Sequence, residues 1–285
     1  MKLFVSTSAL GPTPTDIGAA LDMLAGLACD GIELGSTHTW RADFADVVRR
    51  AARTPLLVHN YCPPARRDFV MNIGSVDPDL RAASVAHART CLGFAAEVGA
   101  TLYTIHPGYL AEPTGRQGQH GYDFAFVGHR AEHDRAFSAM VESLKELAAV
   151  AANARLTLAI ETEGSATNPG VLLMERPEEY ERLFAAIPQG IALNFNLAHS
   201  RFAAKVHGFS LKSFVDQLHG RFAAVELSHN DGAVDQHRPL DPGSWVLDWI
   251  PRLGRVPLIL EFRDATRADL DRSLALVRAQ VAAAA

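Results

Sequence analysis

The sequence predicts an α/β fold of one domain, a closed (β/α)8 barrel over residues 1–285. Three observations point to it. Short apolar, β-branched runs alternate with longer segments of helical period, which implies parallel strands joined by helical crossovers. The strand-like runs number eight, as this barrel requires. No linker, repeat or low-complexity tract interrupts the alternation, and 285 residues at 48% hydrophobic content suffice for one large core. An open, doubly wound sheet is the competing arrangement.

In chain order, Lys2–Ser6 is the first strand, and Asp16–Leu27 follows with Leu21, Leu24 and Leu27 at helical spacing. Gly31–Leu34 and Leu56–Asn60 are the second and third strands, and Pro78–Val98 is a long Ala-rich helix. Leu102–His106 is the fourth strand. The stretch Leu110–Arg130, with Gly115, Gly118, Gly121 and Gly128, reads as a long irregular loop or lid over a site. The helix Ala131–Ala152 leads to the fifth strand, Leu156–Glu161, and Pro177–Ala186 begins with Pro at a first helical position. The sixth strand, Ile191–Asn196, precedes the helix Leu211–Leu218. The seventh, Ala223–His229, precedes Trp245–Leu253. The eighth, Leu258–Phe262, is followed by the helix Arg267–Val281 and an Ala-rich end.

The net charge of −5 gives no general attraction to nucleic acid, although a local basic patch is compatible with it. Cys29, Cys62 and Cys91 are widely spaced and form no C-x-x-C, which speaks against a disulfide framework or a thiolate zinc site and fits a reducing cytoplasm. The opening MKLFVSTSALGPTPTD has too short an apolar run for a signal peptide, and no uncharged stretch reaches membrane-span length. Phosphate-loop, dinucleotide-loop, G-x-S-x-G and H-E-x-x-H motifs are absent.

The chemistry gathers at the strand ends. The third strand ends near His59, the fourth on His106 of "YTIHPGYL", the fifth on Glu161 and the sixth on Asn196, with His199 three residues on. The seventh ends on His229, with Asp231 just beyond, and the eighth on Glu261. "DQH" adds Asp235 and His237. A lone strand-end histidine is usually structural. Six consecutive strands delivering metal-capable side chains to one end, the end where barrel βα loops build active sites, is a different matter. Imidazole with carboxylate suits zinc or manganese, or iron or cobalt, better than calcium.

"DGIELGS" (Asp30–Ser36), "IETEG", "NLAHS", "LSHNDG", "DQHRPLDPG" and "LILEF" resemble the signatures of the xylose isomerase-like TIM-barrel superfamily, over nearly the whole chain. That group includes sugar isomerases and epimerases, inosose dehydratases and the endonuclease IV type of apurinic-site nuclease. The resemblance implies a shared metal site of Glu, Asp, His and Glu, carried over as Glu161, Asn196, His229 and Glu261, with Asn196 departing from the Asp. For a multinuclear zinc centre of the endonuclease IV kind it adds His59, His106, His199, Asp235 and His237. "NIGS" (Asn72–Ser75) and "HPGY" also resemble that branch.

The expected activity is a divalent-metal-dependent isomerisation or epimerisation of a sugar, sugar phosphate or related polyol, the small-molecule partner. Glu161 and Glu261 would move the proton, His199 would hydrogen-bond a substrate oxygen, and His59, His106, Tyr109 and His237 would help bind substrate. Tyr61, Tyr109 and Trp245 could wall it, and Glu163 and Asp231 are reserve acid–base groups. Nucleic acid and membrane are not expected partners, since Arg66-Arg67 is the one compact basic cluster near the site. Self-association into a homo-oligomer is left open. The alternatives are a zinc phosphodiesterase and a degenerate barrel that only binds a ligand.

Overall fold

A computed structural model describes residues 1–10, 16–67, 69–111, 113–117, 121–124, 131–165 and 170–283. Its strands are β1 (Leu3–Ser6), β2 (Gly31–Leu34), β3 (Leu56–His59), β4 (Leu102–Ile105), β5 (Pro113–Gln117), β6 (Gly121–Phe124), β7 (Thr157–Glu161), β8 (Ala192–Asn196), β9 (Phe222–Leu227) and β10 (Leu258–Leu260). All but β5 and β6 close into a single parallel barrel, ordered β1-β10-β9-β8-β7-β4-β3-β2, so the open sheet is excluded. β5 and β6 pair antiparallel as a separate hairpin. The stretch read as irregular from Leu110 to Arg130 thus carries two paired strands, and the rest of its interior lies largely outside the described residues.

Strand residues point alternately outward and inward. The outward set, including Val58, Ile160, Val225, Leu227 and Leu260, is fully buried beneath the helices. Each such side chain contributes about 1.5–3 kcal/mol of transfer free energy. Inward, Phe4, Leu57, Leu102, Ala159, Ala224 and Ile259 form a small apolar layer across the barrel axis. Gly31 faces the same space. A Cβ there would stand 2.2 Å from the Phe4 ring, so the missing side chain lets that ring fill the layer.

Two residues further along each strand, the inward positions all turn polar: Ser6, Glu33, His59, Thr104, Glu161, Asn194, Glu226 and Glu261. Alternation alone places these on one level at the C-terminal end of the barrel.

The helices are α1 (Ile17–Leu24), α2 (Phe44–Ala51), α3 (Pro78–Glu97), α4 (Ala131–Asn153), α5 (Pro177–Ala186), α6 (Leu197–His207), α7 (Leu211–Leu218) and α8 (Arg267–Ala283). Two of them, α2 and α6, escape the sequence reading. The first is short, with Phe44 and Val48 buried and Arg49-Arg50 in its last turn. The second starts directly at the end of β8. Asn196 Oδ1 accepts from His199 N at 3.1 Å as its N-cap, and Gly208, at φ 74°, ends it in the left-handed region. The segment Trp245–Arg252, read as an ordinary helix, winds as 3₁₀ around Pro251. Among the described residues no helix is long and apolar enough to cross a membrane.

Candidate metal centre

The polar level and the loops above it hold a dense set of buried acids and imidazoles. His59 Nε2 lies 2.8 Å from Glu161 Oε2, and His106 Nε2 lies 3.2 Å from the same oxygen. The other Glu161 oxygen is 3.2 Å from His199 Nδ1 and accepts from Asn196 Nδ2 at 3.0 Å. His106 Nδ1 bonds Glu163, a reserve acid that the structure brings into the cluster. His199 Nε2 stands 3.4 Å from Asp235 Oδ2, which is 2.7 Å from His237 Nε2. His237 Nδ1 is 3.3 Å from Glu261 Oε2. Among the described residues, three groups bring their ligand atoms within 4.8 Å of one another: His59, His106 and Glu161; His199, Asp235 and His237; and His59, Glu226 and Glu261.

His229 is not brought there. The strand ends at Leu227, and the alternation that turns Ala224 and Glu226 inward turns Ser228 inward and His229 away. Its backbone pairs with Arg238 N and O at 2.9 Å, and the charges around its ring are Asp241, Arg201, Arg238 and Asp231. Asp231 is also outside, held by Gln236 at the surface. The inward group of this strand is Glu226, which sequence reasoning passed over. So it was with Glu33, inside a motif that was noticed for its resemblance. The available signal was an acid flanked by buried aliphatics, Ile32-Glu33-Leu34 and Val225-Glu226-Leu227.

The wall residues have structural employment. Tyr109 is buried, its backbone bridging Leu172. Asn72 of "NIGS" donates to Tyr109 O at 3.1 Å and accepts from Tyr109 N at 3.0 Å and Gly74 N at 3.1 Å. The two motifs that resembled the nuclease branch therefore lock to each other and fix the turn after His106. The Tyr61 hydroxyl accepts from Met71 N, and the Trp245 indole donates to Asn230 O at 3.0 Å. Arg66 and Arg67 are exposed, the former 5.4 Å from the Trp40 ring centre.

The electrostatics follow from crowding. Burial would push His59 down, but the Glu161 hydrogen bond and charge, with Glu33 and Glu261, hold it at about 9. His237, likewise opposed by burial, is held at about 9 by Asp235 and Glu261. Burial works to raise Glu161, yet His106, His199 and His59 hold it well below the usual carboxylate range. Against burial, His237 draws Glu261 down to about 2. Glu226 and Glu33 go the other way. Burial and the neighbouring acids drive Glu226 well above its ordinary value, and burial, Glu261 and Glu161 raise Glu33 to about 7.

Among the described residues, neither Glu33 oxygen nor Asp235 Oδ1 has a hydrogen-bond partner. Arg263 Nη2, 3.6 Å from Asp235, is the one Arg or Lys ion pair to these acids among the described residues. Buried carboxylates demand compensating charge, and a mixed imidazole–carboxylate set fits a divalent transition metal.

The residues thus define a parallel (β/α)8 barrel with a cluster of potential metal ligands at its C-terminal mouth, the end where such barrels build their active sites. The chain belongs to the xylose isomerase-like TIM barrel family, whose model matches residues 21–274. It is similar in fold to a D-tagatose 3-epimerase-like protein, at TM-score 0.72 and 16% identity over 100% of this chain and 98% of that one. It is also similar to the 3-keto-D-glucoside 4-epimerase of E. coli, at TM-score 0.70 and 14% identity over 98% and 99% of the two chains. Endonuclease IV from Thermus thermophilus aligns at TM-score 0.64 and 18% identity over 99% and 100%. No curated protein matches the chain.

Proposed function

We propose that the protein is a divalent-metal-dependent isomerase or epimerase acting on a sugar, sugar phosphate or related polyol by proton transfer at carbon. The observation that carries this reading is the convergence of buried carboxylates and imidazoles at the barrel mouth with, among the described residues, only Arg263 ion-paired to one of these acids. A bound divalent cation would polarise adjacent substrate oxygens and acidify the C–H bond between them. One of Glu161 and Glu261 would take the proton from carbon as a carboxylate, and the other, protonated by the His59 or His237 imidazolium beside it, would return one. His199 would donate to a substrate oxygen. The 4-epimerase and the 3-epimerase-like protein of the same fold support the substrate class by analogy.

One observation favours a second reading, a zinc phosphodiesterase. His199, Asp235 and His237 make a further ligand group beyond those that contain His59. Two assays on metal-loaded protein decide between the readings. The first follows exchange of a carbon-bound proton of a ketose or cyclitol in deuterated water, and the second follows nicking of abasic-site duplex DNA. Exchange without nicking is expected. Efficient nicking without exchange would promote the phosphodiesterase, and about one ion per chain against two or three would separate them independently.

A further inference from the structure

We propose that Glu226 of β9 is a ligand of the metal centre, and that Asn196 is the residue that positions it rather than a ligand itself. This rests on the metal reading above and goes beyond it by reassigning two positions. Glu226 is 1% exposed, and its Oε1 lies 3.8 Å from His59 Nε2, in a group completed by Glu261. Asn194 and Asn196 donate their side-chain amides to its two oxygens, the latter at 2.8 Å. Two neutral donors hold both oxygens in place, and neither brings a positive charge that would compete with a cation.

Both ends of the Asn196 side chain are committed. The amide nitrogen donates to Glu161 at 3.0 Å and Glu226 at 2.8 Å, and the amide oxygen caps α6 through His199 N at 3.1 Å. A ligating oxygen would have to abandon that cap. The amide nitrogen cannot ligate. It works instead as a clamp shared between two carboxylates, holding Glu161 and Glu226 together where they would otherwise repel. Glu33, fully buried with both oxygens unpartnered, adds a further acid acting on His59 and Glu261 and strengthens the demand for a cation at this level.

The arrangement also accounts for the departure at Asn196. The resemblance implies an acid on β8 and a histidine on β9, whereas this chain carries an amide on β8 and an acid on β9, with the same formal charge. A carboxylate at 196 beside Glu226 would place three acids in contact. Asn196→Asp is therefore expected to weaken the site unless Glu226 changes with it, the reverse of the gain that charge counting alone suggests.

The test measures manganese affinity by titration calorimetry on chelator-stripped protein, with circular dichroism to verify folding. The wild type is expected to bind, and a wild type that binds nothing overturns the metal reading itself. Given binding, Glu226→Gln is expected to lose about tenfold or more in affinity, and Asn196→Asp and Glu226→His each to bind more weakly than wild type. The double variant Asn196→Asp/Glu226→His, which keeps the charge and restores the implied order, is expected to recover to within a few-fold. A purely structural role for Asn196 would give no such rescue. Should Glu226→Gln fail to fold, His229→Ala decides, with affinity expected within about twofold of wild type. Wild-type affinity in Glu226→Gln, no recovery in the double variant, or a tenfold loss in His229→Ala overturns the assignment.

Discussion

Gly108→Ala tests whether the turn after His106 is as tightly determined as its geometry indicates. Gly108 sits at φ 109°, where an added side chain costs about 1–3 kcal/mol. A Cβ there would stand 2.3 Å from Asn72 Oδ1 and 3.0 Å from Gly74 N. Asn72 can retreat only by giving up its bonds with Tyr109 and Gly74, each worth about 1 kcal/mol. The sum, with three such bonds, is about 4–6 kcal/mol, or about 7–10 °C in Tm for a domain of this size. Gly99→Ala is the control. It has φ 73° and nothing within 4 Å of the added atom, so only the backbone term of about 1–2 kcal/mol applies. Thermal denaturation of both variants by circular dichroism measures the difference. Equal shifts would refute the claim that the Asn72 lock, and not the backbone angle, dominates.

Glu175 should give the fold a pH dependence of its own. Burial first, with Glu163 and Glu179, raises this carboxyl from 4.5 to about 7, against amides of Gly170 and Ser165 and with His207 at 3.5 Å. A raised folded-state value means the stabilising contribution is complete below 4.5 and is lost as pH rises through about 7. Glu175→Gln should therefore gain on wild type by about 3 kcal/mol between those limits in urea titrations, and parallel curves would count against it. Stripping the metal should lower Tm by about 4–5 °C, since ligand at a hundred times its Kd contributes about 2.7 kcal/mol. Indifference to chelator and to added zinc or manganese would leave the buried acids unexplained.

Much of the barrel is legible in the sequence because its strands are buried on both faces and read as compact apolar runs. The helix α6 was not, because Asn196 and Leu197 pass from strand to helix with no intervening turn residue, and a strand-to-histidine reading runs straight across the junction. Most of the candidate cluster was legible. Residue type pointed to His59, His106, Glu161, His199, Asp235, His237 and Glu261 in its ligand groups, and strand alternation agrees for His59, His106, Glu161 and Glu261. At the seventh strand the two criteria conflict. The histidine attracts attention, but counting by twos from the inward Ala224 reaches Glu226 and never His229. Glu33 was hidden for a related reason, since an acid between two aliphatics looks like an exposed strand position until closure of the barrel puts both faces indoors. The hairpin of β5 and β6 joins PTGRQ to GYDF, mostly glycine and polar residues with Pro113 and two aromatics, the composition of a loop as much as of a weakly specified ribbon.

The apolar layer inside the barrel is a single residue deep, and directly above it every strand contributes a polar group. Cohesion of the fold must therefore come from the interface between strands and helices, while the mouth is a region of concentrated frustration that the rest of the molecule tolerates. Scaffold and chemistry are segregated radially. Filling the polar level with matched aliphatic side chains should yield a more heat-resistant but inert barrel, and the margin gained would measure how much stability the chain gives up to keep its acids together.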